Sequence, residues 1–199
     1  MNRGFFGVWA GLTVLVAGVV PGGWASPGPP SAPRSPSTSG KVSAPAGIPN
    51  FAVVAPGIYR GGAPTAEGLK ALHAMGVRMV VDLRIEKKGQ EAEAGQCRSL
   101  GLERIRIRMG REAPTQKQLE EFLATVDRAP AKPVFIHCQH GADRTGAMVG
   151  IYRVVRQGWD FARAREEMRK YGFKPWLDEL EDSVRSRATR SRTPARKGG

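Results

Sequence analysis

The most reactive pair of side chains in the sequence is Cys138 and Arg144, in the stretch His137-Cys138-Gln139-His140-Gly141-Ala142-Asp143-Arg144-Thr145-Gly146. A cysteine attacks as its thiolate, and positive surroundings lower the thiol pKa from ~8.5 to as little as ~3.5–7.5. The stretch follows the apolar residues 133–136 and leads into Ala147-Met148-Val149, so the chain must pass directly from a strand into a helix. Gly141 and Gly146 permit the tight backbone this requires. Such a loop turns the N–H groups of Gln139, His140, Gly141, Ala142, Asp143 and Arg144 inward as an anion-binding nest, and the following helix adds the positive end of its dipole. Arg144 can return over the bound anion and hold two of its oxygens with its planar fork. The chemistry is that of a nucleophile and a cationic clamp around one tetrahedral oxyanion.

Positioning these groups demands a strand ending at His137 and a helix beginning near Thr145, and the rest of the sequence supplies elements of the same kinds. Short strands are expected around the turn Ala55-Pro56-Gly57, at residues 77–83, 102–107 and 133–137. Helices are expected from Thr65 to Gly76, over residues 90–100, after Thr115, over residues 145–157, and from Asp160 to about Tyr171. Thr115-Gln116-Lys117-Gln118 has the form of a capping box, and Gly158 is a helix stop. Strands and helices alternate at βαβ spacing, which gives an α/β fold with a mostly parallel central sheet flanked by helices. Ligands of such folds sit beyond the carboxyl ends of the strands, where Cys138 to Arg144 falls.

The Cys-x5-Arg-Thr spacing resembles the signature of the protein tyrosine and dual-specificity phosphatases. Residues 50–65, from Asn50 through Ile58-Tyr59-Arg60-Gly61-Gly62, and Val81-Asp82-Leu83-Arg84 resemble the small atypical dual-specificity phosphatases of plants, fungi and bacteria. The resemblance implies a two-step hydrolysis without metal or other cofactor. Cys138 forms a phosphocysteine, Arg144 and the loop amides bind the transition-state charge, and Thr145 hydrogen-bonds the departing thiolate. It implies phosphorylated Tyr, Ser or Thr side chains as substrate, with inositol pyrophosphates or phospholipids as the alternative. The loop lacks the lysine pair that highly charged inositol phosphates would favour, although Arg108 and Arg111 stand nearby. A non-catalytic phosphate-binding protein is a further alternative, and a sulfur-transfer or arsenate-reducing enzyme a weaker one.

The sequence departs from the family over the general acid, since residues 100–126 contain no Asp. Glu112, in the loop 109–114, is the best-placed carboxylate, and Asp143 is its rival, unless Asp143 only caps the helix or orients Arg144. Other residues read as structural: His137 shapes the loop, Asp82 and Arg84 form an ion pair, His73 lies on a helix surface, and Trp159 and Trp176 pack. His140 faces either substrate or solvent. Cys97 is either a buried helix thiol or a resolving partner for Cys138.

The chain has 199 residues and a formal net charge of +13. Residues 1–25 read as a signal peptide: Arg3, then a charge-free apolar run over 4–20, then Gly23 and Ala25 spaced for cleavage. Export to the periplasm or exterior is the expectation, with an uncleaved anchor as the alternative. Residues 26–49, rich in Pro, Ser and Gly, read as a flexible linker, residues 50–182 as the catalytic domain, and residues 183–199 as a disordered basic tail. Nine of the 31 basic residues lie outside 50–182 and all 18 acids inside, so the charge is mostly in the ends. That is no sign of specific nucleic-acid binding, and it leaves the tail free to touch anionic surfaces. Oligomeric state is not legible.

Overall fold

Two strands of nearly continuous apolar character, residues 79–84 and 134–137, build the sheet interior, because both faces of each are covered. The computed structural model describes residues 44–87 and 89–192. Its elements are β1 (Ala52–Ala55), β2 (Ile58–Gly61), α1 (Ala66–Ala74), β3 (Met79–Arg84), α2 (Gln90–Ser99), β4 (Glu103–Met109), α3 (Gln116–Asp127), β5 (Val134–His137), α4 (Asp143–Gln157), α5 (Phe161–Lys170) and α6 (Asp178–Arg192). The strands form one sheet in the order β1-β2-β5-β3-β4. Only the β1–β2 pair is antiparallel; the β2–β5, β5–β3 and β3–β4 pairs are parallel. This is the expected mostly parallel α/β architecture.

Alternation along β3 and β5 separates two cores. Met79, Val81, Leu83, Val134 and Ile136 pack with Phe122, Met148, Met168, Leu180 and Val184 of α3 to α6. Val80 and Phe135 point the other way, against Leu69 and Leu72 of α1 and Cys97 of α2. Helices α1, α3 and α5 begin at the capping residues the sequence shows, α4 begins two residues earlier than expected, and α6 was not expected. Thr65 accepts a hydrogen bond from the Gly68 N–H, Thr115 and Gln118 form a reciprocal capping box, Asp160 caps α5, and Gly158 ends α4 in the left-handed region. Helix α4 is different, since no side chain caps its N-terminus, and its first N–H groups lack intrahelical acceptors.

Both ends of the domain require correction. The signal-peptide residues 1–25 lie outside the described residues, as does most of the linker, but residues 44–49 join the fold. Ile48 is buried among Leu69, Leu72 and Phe135, and the carbonyls of Gly47 and Pro49 accept from Thr65 N and Gly62 N at 2.9 and 2.7 Å. Residues 183–192, expected as disordered tail, continue α6. Leu177, Leu180, Val184 and Ala188 make a buried stripe at helical spacing, which the surrounding Arg, Ser and Thr dilute in composition. Residues 193–199 lie outside the described residues.

A chain ending at Asp182 loses the wholly buried Val184 and the contact of Ala188, at roughly 2–3 kcal/mol for one such aliphatic side chain. We expect its urea midpoint to fall clearly below that of the full chain, with the slope little changed. Equal midpoints would show that the second half of α6 adds no stability.

Candidate active site

Cys138 leaves the carboxyl end of β5, the central strand, with 2% of its surface exposed. The carbonyls that follow are all engaged on one side. Gln139 O accepts from Ala63 N at 3.1 Å. His140 O and Gly141 O accept from Asn50 Nδ2 at 3.5 and 3.3 Å, and Gly141 O also accepts from Arg60 Nη2 at 2.7 Å. In a planar trans peptide the N–H points opposite the carbonyl, so the N–H groups of His140, Gly141 and Ala142 face the other side. Successive N–H groups on one side of a loop can together bind an anion. Gly141 has a φ of +72°, and a Cβ there would lie 2.4–2.5 Å from the backbone of Gly61 and Gly62. Only glycine combines this conformation with so close an approach, and Gly62 in turn faces the carbonyls of Gln139 and His140.

Arg144, in the first turn of α4, donates from Nη1 to Glu86 Oε2 at 2.8 Å and to Met109 O at 3.3 Å. This hydrogen bond holds the Glu86 carboxyl below the usual range, and it raises the Arg144 guanidinium although burial alone would lower it. A cavity of about 420 Å³ opens here, lined by Gln139, His140, Asp143, Arg144, Glu112 and Lys174 among others. The fold thus brings Gln139, His140, Asp143 and Arg144 of the expected loop to one cavity. Gln139 and His140 are exposed, Gly141 and Ala142 buried, and Asp143 and Arg144 half-buried. Thr145 is fully buried, and its Oγ1 has no partner among the described residues.

The two candidate acids stand in different surroundings. Glu112 is exposed on the cavity wall, its carboxylate folded over Gly110, and makes no ion pair among the described residues. Its loop is tied to α6, where Glu179 Oε2 accepts from Ala113 N at 3.3 Å. Asp143 Oδ1 accepts from the Lys174 N–H at 3.0 Å, and its Oδ2 lies 3.9 Å from Lys174 Nζ. Asp143 therefore joins the start of α4 to the segment after α5, and also faces the positive end of the α4 dipole. Trp176, expected to pack, is 68% exposed at the cavity mouth. Trp159 does pack, between the guanidinium groups of Arg153 and Arg163.

Beneath the loop on the α2 side lies a closed ionic group. Arg84 bonds Asp82 Oδ1 at 2.8 Å and Glu93 Oε2 at 2.5 Å, while Arg104 bonds Asp82 Oδ2 and, at 2.9 Å, Glu93 Oε1. Burial alone would raise both carboxyls, but the hydrogen bonds from Arg84 to Asp82 and from Arg104 to Glu93, with the His137 ring close to both, hold them low. Asp82, Glu93 and His137 have the donor types of a metal site, yet both carboxylates already balance two guanidinium groups. His137 joins this group to the loop: Nε2 is 3.4 Å from Glu93 Oε1, too poorly aligned for a full hydrogen bond, and Nδ1 is 3.2 Å from Cys138 O. Cys97 is a free thiol in the other core cluster from Cys138, and burial pushes it up to about 11. That environment fits the inert helix thiol and not a resolving cysteine.

Sequence reasoning missed Asn50 and Arg60 as supports of the loop, Glu86 as partner of Arg144, and α6 as support of the Glu112 loop. Residues 50–65 stood out only by resemblance, and Glu86 had one usable signal, its place just beyond the carboxyl end of β3.

The family model described as "DSP-PTPase phosphatase fused to NAD+ Kinase" matches residues 44–186. The dual specificity protein phosphatase TpbA of Pseudomonas aeruginosa, strain PAO1, is 33% identical over 168 residues, covering 82% of this chain and 74% of the relative. In strain UCBPP-PA14 the match covers 62% of TpbA. Inositol diphosphatase DSP3 of Arabidopsis thaliana is 31% identical over 132 residues, 64% of each protein. The core catalytic domain of the PP-IP phosphatase Siw14 from S. cerevisiae superposes with a TM-score of 0.61 at 26% identity, over 69% of this chain and 85% of that one. With the family model spanning both the loop and its supports at residues 50–65, the chain belongs to the DSP-PTPase family of phosphatases.

Proposed function

We propose that this protein hydrolyses phosphate monoesters through a phosphocysteine on Cys138. The observation that carries the reading is the outward engagement of the Gln139, His140 and Gly141 carbonyls, which leaves an N–H-lined cradle between the thiol and Arg144. The Cys138 thiolate attacks phosphorus in line, forming the S–P bond as the P–O bond to the leaving group breaks. Glu112 gives its proton to the departing oxygen. Its carboxylate then takes a proton from water, whose oxygen attacks phosphorus and releases phosphate and the thiolate. The orphaned Thr145 hydroxyl is suited to hydrogen-bond that thiolate. Asp143, held by Lys174, is a structural tie.

Phosphorylated Tyr, Ser or Thr side chains are the first substrate class, supported by TpbA as a relative and by the exposed ring of Trp176 at the cavity mouth. Arg111 and Lys174 on the same wall, together with DSP3 and Siw14 as relatives, favour an inositol diphosphate as the second reading. Parallel kcat/KM values for a phosphotyrosine peptide and an inositol diphosphate decide between them. The pattern of residues 1–25 supports action outside the cytoplasm.

The acid assignment predicts that Glu112→Gln lowers kcat on phenyl phosphate, a poor leaving group, by about 10²-fold, and much less on p-nitrophenyl phosphate. Asp143→Asn should stay within about threefold on both. If Asp143→Asn alone abolishes turnover of phenyl phosphate, Glu112 is not the acid.

A further inference from the structure

Four buried side-chain nitrogen or oxygen atoms lack a hydrogen-bond partner among the described residues: Arg60 Nε and Nη1, His137 Nε2 and Thr145 Oγ1. All belong to the Cys138 loop or to residues touching it. Arg60 is the least expected. It is 1% exposed in the middle of the domain, where an unpaired cation is strongly disfavoured. Among the described residues its side chain makes one hydrogen bond, from Nη2 to Gly141 O at 2.7 Å, and its guanidinium lies 4.2 Å from the centre of the Tyr171 ring. The nearby Glu167 makes no hydrogen bond to it among the described residues, because both its carboxylate oxygens bind Arg153 at 2.9 and 2.6 Å. Burial lowers Arg60 to about 10, a shift that nearby Glu167 opposes most and Tyr171 and Cys138 less. With Nε and Nη1 unpartnered behind the Gly141 carbonyl, this cation lacks a hydrogen-bonded counter-charge among the described residues, and a phosphoryl group on the other side of the loop would supply negative charge.

We propose that Arg60 is a positioning residue for phosphoryl transfer: from behind the loop it fixes the Gly141 carbonyl outward, so that the Ala142 N–H faces the transferred group, and it adds a buried positive charge to the anion site. Asn50 is the second half of the clamp. Its Nδ2 bonds Gly141 O and also Tyr171 O at 2.9 Å, which keeps the ring over Arg60. The inference rests on the phosphatase reading, and wild-type turnover of p-nitrophenyl phosphate tests that reading separately.

The experiment compares wild type, Arg60→Met and Arg60→Lys for kcat/KM, for inhibition by orthovanadate and orthophosphate, and for thermal stabilisation by orthophosphate. A group aimed at the transition state acts more on its analogue than on a ground-state anion. Arg60→Met should lower kcat/KM and vanadate affinity together by about 10²-fold, with orthophosphate affinity falling roughly tenfold. Arg60→Lys, which keeps the charge but loses the fork, should lose about tenfold in kcat/KM and vanadate affinity, and it carries the test if the methionine variant does not fold. A variant that melts lower yet retains wild-type kcat/KM and vanadate inhibition at 25 °C overturns the proposal. If wild type shows no turnover, the phosphatase reading falls, while an unchanged orthophosphate stabilisation in the folded variants would sink the positioning role.

Discussion

Replacing Cys138 with serine should abolish turnover of p-nitrophenyl phosphate, by at least about 10⁴-fold, while leaving anion binding in place. The substitution exchanges sulfur for oxygen at a site 2% exposed, so packing changes little. A hydroxyl needs a neighbouring base to become a nucleophile, and Glu112, which in the first step must carry the proton for the leaving oxygen, cannot serve as that base. The His137 ring is turned toward Glu93 and the Cys138 carbonyl, and Asp143 is occupied by Lys174. The cradle itself is made of main chain held by Ala63, Asn50 and Arg60, none of which is altered. Orthophosphate should therefore still stabilise the variant, by about 2.7 kcal/mol at a concentration of 100 Kd. A melting titration and a turnover assay on the same sample check both halves. Equal background rates for wild type and variant, with phosphate binding intact in both, would mean that the protein binds phosphate without hydrolysing it.

The parts of this site legible in the sequence are those written locally. Cys138, Gly141 and Arg144 lie within seven residues, and the Thr115 box, the Asp160 cap and the Gly158 stop each act over three to five residues. What was hidden acts across the fold. Arg60 and Asn50 meet Gly141 from 81 and 91 residues away, a relation that no periodicity encodes. The tie that favours Glu112 over Asp143 in our proposal, the Lys174 N–H on Asp143, comes from 31 residues further along the chain. Helix α6 was misread for a different reason: its apolar stripe is only one residue in three or four, and the arginines between made the segment look like a solvated tail. Several of those arginines are held in place, with Arg185 paired to both Glu181 and Asp182.

Arg144→Lys should lower kcat/KM by about 10³-fold, with most of the loss in kcat. The argument turns on how many partners the side chain serves at once. With no substrate bound, Arg144 Nη1 already holds Glu86 and the Met109 carbonyl, and the guanidinium has further donors in a fixed plane for two phosphoryl oxygens. A lysine ammonium is a compact point charge that must choose between Glu86 and the phosphoryl group. It would keep some ground-state attraction and lose the paired contact that strengthens as charge spreads over the transferred oxygens. Failure to fold cannot account for such a loss, because Glu86 is 49% exposed and a surface pair of this kind contributes only about 0–1 kcal/mol. Arg144→Ala should accordingly melt within a few degrees of wild type while losing more activity than the lysine variant. If Arg144→Lys instead retains more than about a tenth of wild-type kcat/KM, charge alone suffices and the bidentate clamp is not part of the mechanism.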